Sequence, residues 1–280
     1  MKQLNPDDAG ARLQTQHYAY IINNEPDIDW FEATTENHIG EGEAPFLSLD
    51  KIRQNYPLSF HGAGMSLGSY QPLNINYIRT LKYIIERYQP LHISDHLSWT
   101  SFQRHYNHKL LPFPFNNSNL QAIADKISTA QDFLGQEILI ENPSTHMHFT
   151  SSHIHESEFT NRLLQKTGCK LLLNIDNLIT CSESSGTDAD EYIQSISRDM
   201  IAEIHLQGQQ MDNNYTENMN DSSAWQLYKR TIELTAPLPT LIKGSPETES
   251  FNSLEKQVSK VKKFIKPFST GSISGIAINQ

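Results

Sequence analysis

Short apolar runs alternate with amphipathic segments along the chain. "DIDWFEATTEN", "PLSFHGAG", "PLHISDHLSW", "EILIENPS", "CKLLLNIDN", "IAEIHLQGQ" and "LPTLIKGSPE" each carry a few apolar residues into a polar end, as buried strands do. Between them apolar residues recur three and four apart. Ile78, Leu81, Ile84, Ile85 and Tyr88 form one such stripe. Leu120, Ile123, Ala124, Ile127 and Ala130 form another, stopped at Gly135, and Phe159, Leu163 and Leu164 a third, stopped at Gly168. The region 192–196, "AWQLYKRTIEL", and Leu254, Val258, Val261 and Phe264 continue the helical series. The stretch between "HLSW" and Leu120 reads as a loop. Seven strand candidates therefore alternate with helices, and "GARLQ" at 10–14 is a weaker eighth. Such alternation gives right-handed βαβ units and a parallel sheet. Eight units in 280 residues favour a closed α/β barrel, the TIM (β/α)8 fold, over an open doubly wound sheet. No Pro/Gly/Ser-rich linker divides the chain, which predicts one domain over 1–280.

Composition narrows the function classes. The chain is 37% hydrophobic and 19% charged, enough to bury a sizeable core. A net charge of -10 and a pI near 5.6 argue against a broad grip on nucleic acid or on an anionic membrane surface. The start, "MKQLNPDDAGARLQ", has no apolar signal core, and no run of about 18 apolar residues occurs. Two cysteines, Cys169 and Cys181, make no disulfide framework and point to a reducing, cytoplasmic setting. Cys169 leads into "KLLL" and is expected to be a buried structural thiol. Cys181, in the polar stretch "ITCSESSG", is expected to be the more reactive. Four of the 12 histidines, His146, His148, His153 and His155, lie in "THMHFTSSHIHES", whose polar flanks predict a solvated loop rather than a metal tract.

The strand ends carry the chemistry. Glu32, His61, Asp95, His96, Glu141, Asn174, Asp176 and His205 all fall there. In a barrel the C-terminal ends of the strands converge on one face, so these residues would meet around one centre. In "LLLNIDN" the alternation of side chains places Leu172, Asn174 and Asp176 on one side. After His61, Gly62, Gly64 and Gly68 predict a loop packed tightly against the site. Imidazoles with carboxylates and no thiolate suit iron, manganese or zinc. Glu141, with two oxygens, can bridge two ions.

The segments "DIDWFEATTENHIGEGEAP", "LSFHGAGMSLGS", "ISDHLSW", "LLPFPF", "LIENPS", "TGCKLLLNIDN" and "EIHLQGQ" resemble, in order, the motifs of the multinuclear non-haem iron-dependent oxidative enzymes. That group includes the methanobactin-forming oxidase and relatives that modify cysteines in ribosomally made peptides. The resemblance covers nearly the whole chain. It implies a barrel like those of xylose isomerase and endonuclease IV, irons at its C-terminal face, O2 as oxidant, a peptide substrate and a partner protein that presents the peptide. By position it implies His61, His96 and Glu141 as ligands of one iron. It implies Glu141, His205 and the residue at Asn174 as ligands of a second.

The chain departs from that pattern. The family's Asp-x-Asn-Asn is "NIDN" here, with Asn174 for Asp, Asp176 for Asn, and Asn177 matching. Gln209 replaces a histidine, the Asp-Thr-His before the tryptophan helix is missing, and Lys243 stands where a glutamate is expected. The ammonium of Lys243 can instead occupy a vacant cation position. These changes predict one or two metals rather than three, the first tight and the second weak, with iron expected and zinc or manganese able to substitute. Two other readings remain beside an oxidoreductase: a metal-dependent hydrolase of the endonuclease IV type, and a barrel that binds metal or a partner without catalysis. The acidic charge, with no Lys/Arg cluster beside the motifs, counts against a nucleic-acid substrate.

Overall fold

The structure, a computed structural model, describes residues 4–39, 44–102, 105–144, 147, 149–208, 222–244 and 250–269. In chain order the strands are β1 (Ala9–Arg12), β2 (Phe31–Thr34), β3 (Leu58–Gly62), β4 (Ile93–His96), β5 (Trp99–Phe102), β6 (His105–Leu111), β7 (Leu139–Glu141), β8 (Lys170–Asn174), β9 (Ile201–Leu206) and β10 (Thr240–Ile242). All but β5 and β6 pair in parallel, and β10 returns to β1, closing an eight-stranded barrel. This is the TIM-barrel architecture the alternation predicts, with "GARLQ" supplying β1. Closure leaves the barrel itself with no free sheet edge.

The helices follow the apolar stripes. They are α1 (Tyr18–Asn24), α2 (Ala44–Asn55), α3 (Ile75–Tyr88), α4 (Asn117–Leu134), α5 (Glu156–Thr167), α6 (Ile175–Ser185), α7 (Ala189–Ser195), α8 (Ser223–Thr235) and α9 (Phe251–Ser269). Helix α3 buries Tyr77, Ile78, Leu81, Ile84 and Tyr88, and the Asn74 side chain caps its first turn through the amides of Asn76 and Tyr77. Gly135 and Gly168 end α4 and α5 in the left-handed conformation, as a helix stop requires. On β8, Leu171, Leu172 and Leu173 are all fully buried. Each contributes roughly 1.5–3 kcal/mol relative to exposure.

Two expectations are corrected. The stretch after "HLSW" is not a plain loop, because it contains the antiparallel hairpin β5–β6. And β8 ends at Asn174, where α6 begins at once. The two-residue alternation therefore does not extend to Asp176, which lies in the first turn of a helix.

Strand register sets out the mouth of the barrel. His61 pairs with Ser94, His96 with Glu141, and Asn174 with His205. Ser94 and His96 share a face of β4, as Glu203 and His205 do on β9. No helix of the described residues is long and apolar enough to cross a membrane.

Candidate functional site

Glu141, at the end of β7, is fully buried and is the hub of the mouth. Its Oε2 lies 2.8 Å from His61 Nε2 and 3.0 Å from His96 Nδ1, yet neither contact has hydrogen-bond geometry. His61 Nε2 is also 3.0 Å from His96 Nε2. Ser94 Oγ, 2.9 Å from His61 Nδ1, fixes the His61 ring from behind. Glu141 Oε1 is in a different situation. It accepts from the side-chain amides of Asn174 and Asn177 and from Lys243 Nζ, the last at 3.3 Å. Burial alone would raise the Glu141 pKa. The charges of His96, Lys243 and His61 outweigh it and hold the carboxyl well below the usual carboxylate range. Burial in turn lowers the pKa of His96.

A second group lies alongside. His205 Nε2 is 3.2 Å from Glu203 Oε1 and 3.0 Å from Glu32 Oε2, and Glu203 Oε2 is 2.9 Å from His92 Nδ1. Burial would lower the His205 pKa, but Glu32 and Glu203 raise it to about 9. Burial opposes ionisation of Glu203 as well, and the bonds from His205 and His92 nevertheless bring it down to about 2. The His61 and His205 rings are 5.3 Å apart, so the two groups adjoin. Ligand atoms of His61, Glu141 and His205 all lie within 4.8 Å of one another, and so do those of Glu32, Glu203 and His205. Both sets are able to hold a metal ion.

The donor spacing fits that use. Two ligands about 2.1 Å from one ion and at right angles to each other are about 3.0 Å apart. Glu141 Oε2 and His61 Nε2, 2.8 Å apart, are close to that separation, whereas His96 meets Glu141 through Nδ1 and His61 through Nε2, only one of which can serve the same ion. The buried Oε2 atoms of Glu141 and Glu32 both lack a hydrogen-bond partner. A buried, unpaired carboxylate oxygen is costly unless something cationic satisfies it.

The family model of the RiPP precursor modification enzymes MbnB/TglH/ChrH matches residues 8–266. The chain belongs to this family. A UPF0276 protein of Acaryochloris marina is 38% identical over 250 residues, covering 88% of this chain and 90% of its own length. Among solved structures, a D-allulose 3-epimerase from Methylomonas sp. in complex with D-allulose superposes with a TM-score of 0.60 at 12% identity, covering 96% of this chain and 98% of its own. A xylose isomerase domain protein from Alicyclobacillus acidocaldarius does so with 0.57 at 11%, covering 94% and 98%. These two likenesses show a shared xylose isomerase-like barrel.

Within this MbnB/TglH/ChrH barrel, the strand-end residues separate into distinct roles. His61, His96, Glu141 and His205 come together at the mouth. Asn174 and Asn177 reach Glu141, but through their N–H groups. Asp176 turns away, and its Oδ2 accepts the Gln207 amide at 2.7 Å, tying α6 to the end of β9. Asp95 accepts from the Met65 amide and from Tyr77 Oη, so it supports the loop after His61. The tight packing expected of that loop is present, but against other partners. A Cβ on Gly62 or Gly64 would collide with Tyr77, and one on Gly68 with Phe113. Cys169 is buried, as expected of a structural thiol, and burial pushes its pKa up to about 11; Cys181 is equally buried. His153 and His155 are exposed, as a solvated loop requires, while His146, His148 and Gln209 lie outside the described residues.

Several participants were not picked out from sequence. Glu203 hides inside a strand, although its two-residue spacing from His205 signals a shared face. Asn142 is buried between β7 and β8, where its amide clamps Asn174: Oδ1 accepts from Asn174 N at 2.7 Å, and Nδ2 donates to Asn174 O at 3.2 Å. Tyr77 donates to Glu36 Oε1 at 3.0 Å. That same oxygen accepts from the amides of Ala63 and Gly64.

Proposed function

We propose that the chain is a non-haem iron oxidoreductase that modifies cysteine-containing peptides with O2, its metal held by His61, His96 and Glu141. The observation that carries this reading is a buried Glu141 Oε2 that accepts no hydrogen bond and lies within 3.0 Å of both imidazoles. Bound there, iron would supply the redox chemistry that no side chain of the site provides. The chain's own residues prepare the place. Ser94 orients the His61 ring, and Asn142 holds Asn174 against Glu141. Zinc or manganese suits the same donors, which makes iron supply a condition of activity. In this reading Asn174 and Asn177 brace Glu141, Asp176 is engaged with Gln207, and His205, whose ligand atom lies within 4.8 Å of those of His61 and Glu141, adjoins the centre.

A groove of about 870 Å³ lined by Glu36, Met65, Leu73, Tyr77 and Ser101 lies beside the centre, and none of His61, His96 and Glu141 lines it, so in this reading it docks the peptide next to the metal. It is bounded by the residues that brace the loop following His61, and it can take an extended chain. The family membership supports a peptide substrate, and a partner protein that presents the peptide belongs to the same proposal.

The test is anaerobic purification with iron supplied, metal analysis, and O2 uptake with a cysteine-containing peptide. His96→Ala is expected to lose most of the bound metal and the peptide-dependent uptake. Full metal content in that variant would overturn the ligand set.

A further inference from the structure

The two oxygens of Glu141 are in opposite states. Oε2 faces His61 and His96 with no hydrogen-bond donor, whereas Oε1 is surrounded by donors. A carboxylate oxygen has two lone-pair sites, and three N–H groups compete for those of Oε1. None of these groups can readily be turned into a metal ligand. Asn174 Oδ1 accepts the Asn177 amide at 3.1 Å, which fixes its Nδ2 toward Glu141. Asn177 Nδ2 also donates to the Asn142 carbonyl at 2.8 Å, which fixes that side chain in the same way. Lys243 has no acceptor atom. It leaves β10 and reaches Glu141 with its side chain 11% exposed, so its charge is compensated chiefly by that carboxylate.

We propose that Lys243 is a resident cation on Oε1 of Glu141, which restricts Glu141 to one metal through Oε2 and makes the centre at His61 and His96 mononuclear. The inference rests on the metal centre proposed above and specifies its stoichiometry. A second dication bridged by Glu141 would have to displace the ammonium and both amides, and would then lie beside a positive charge. Asp176, on the first turn of α6, also feels the Lys243 charge, but its carboxylate is engaged with the Gln207 amide.

The experiment uses the full chain, freed of metal and titrated with Mn²⁺. Bound metal is counted after desalting, and electron paramagnetic resonance separates isolated from carboxylate-bridged ions. The same titration in Glu203→Gln removes any contribution from the neighbouring acidic group. Wild type is expected to show an isolated ion, with no exchange-coupled pair at any Mn²⁺ concentration. Lys243→Glu replaces the ammonium with a ligand and is expected to gain a second ion and the coupled signal. Lys243→Met removes the charge and its hydrogen bond to Oε1 without adding a carboxylate, and its second-ion affinity should rise at least about tenfold. Circular dichroism checks that both variants fold. A coupled pair in wild type overturns the role of Lys243 and leaves the metal centre standing, as does a folded Lys243→Glu that stays uncoupled. Absence of any Mn²⁺ binding that His96→Ala removes overturns the centre and the inference together.

Discussion

Glu156 opens α5 with one carboxyl oxygen, Oε1, buried and without a hydrogen-bond partner. Burial raises its pKa from 4.5 to about 7, against a lowering contribution from Cys181. Below pH 4.5 the acid is protonated whether the chain is folded or unfolded. As pH rises toward 7 the unfolded chain ionises first, so stability is lost across that window, by about 3 kcal/mol in all. Glu156→Gln removes the slope. Its urea midpoint should gain on that of wild type as pH rises from about 4.5 to about 7. A constant difference between the two proteins would show that the carboxyl is not held neutral. Glu141 is still more deeply buried, yet its pKa moves the opposite way, because two imidazoles and an ammonium face it. Nothing in the identity of a glutamate distinguishes these cases. Only its neighbours do, and for Glu141 they come from β3, β4, α6 and the residue after β10.

The loop after β3 shows the same dependence at the scale of an element. Gly62 and Gly64 let the backbone press against Tyr77 of α3, whose hydroxyl reaches Glu36 and Asp95. Gly64→Ala is expected to cost roughly 1–3 kcal/mol through overpacking. Tyr77→Ala should cost more on its own. The double variant should cost less than the sum, because the collision has gone; strictly additive thermal-unfolding losses would disprove the contact. Most elements were legible because their periods are clean: three and four in α3 and α4, unbroken leucines in β8. The hairpin β5–β6 was not, since "WTSFQRHYNHKLL" mixes aromatic, basic and polar residues without either period. Asp176 was misplaced for a related reason. Asn174 ends β8 and caps α6 by accepting from the Asn177 amide, so strand gives way to helix with no intervening turn residue to mark it.

At the scale of the whole molecule, closure of the barrel assembles the site. Residues as far apart as Glu32 and Lys243 enclose one mouth because parallel strands all deliver their C-terminal ends to the same face. That rule makes His61, His96, Glu141 and His205 readable as a group from the sequence. It could not divide the group in two or show Glu203 joining Glu32 around His205, since those facts depend on strand stagger and on which oxygen faces which ring. Nor could it show that Asn174 and Asn177 present N–H rather than C=O to Glu141.

A metal ion can be stripped by a chelator, lost during starvation or taken by a competing protein. An ammonium on a side chain, covalently part of the polypeptide, can suffer none of these. By keeping Lys243 against Glu141, the barrel carries part of its counter-charge in covalent form, so its buried anion is not left bare when no metal is bound. The chain should therefore wait for its metal in a folded state. After exhaustive chelation its thermal unfolding is expected to remain a single cooperative transition. A metal-free protein that melts gradually, without a defined midpoint, would mean that the lysine alone does not keep the mouth intact.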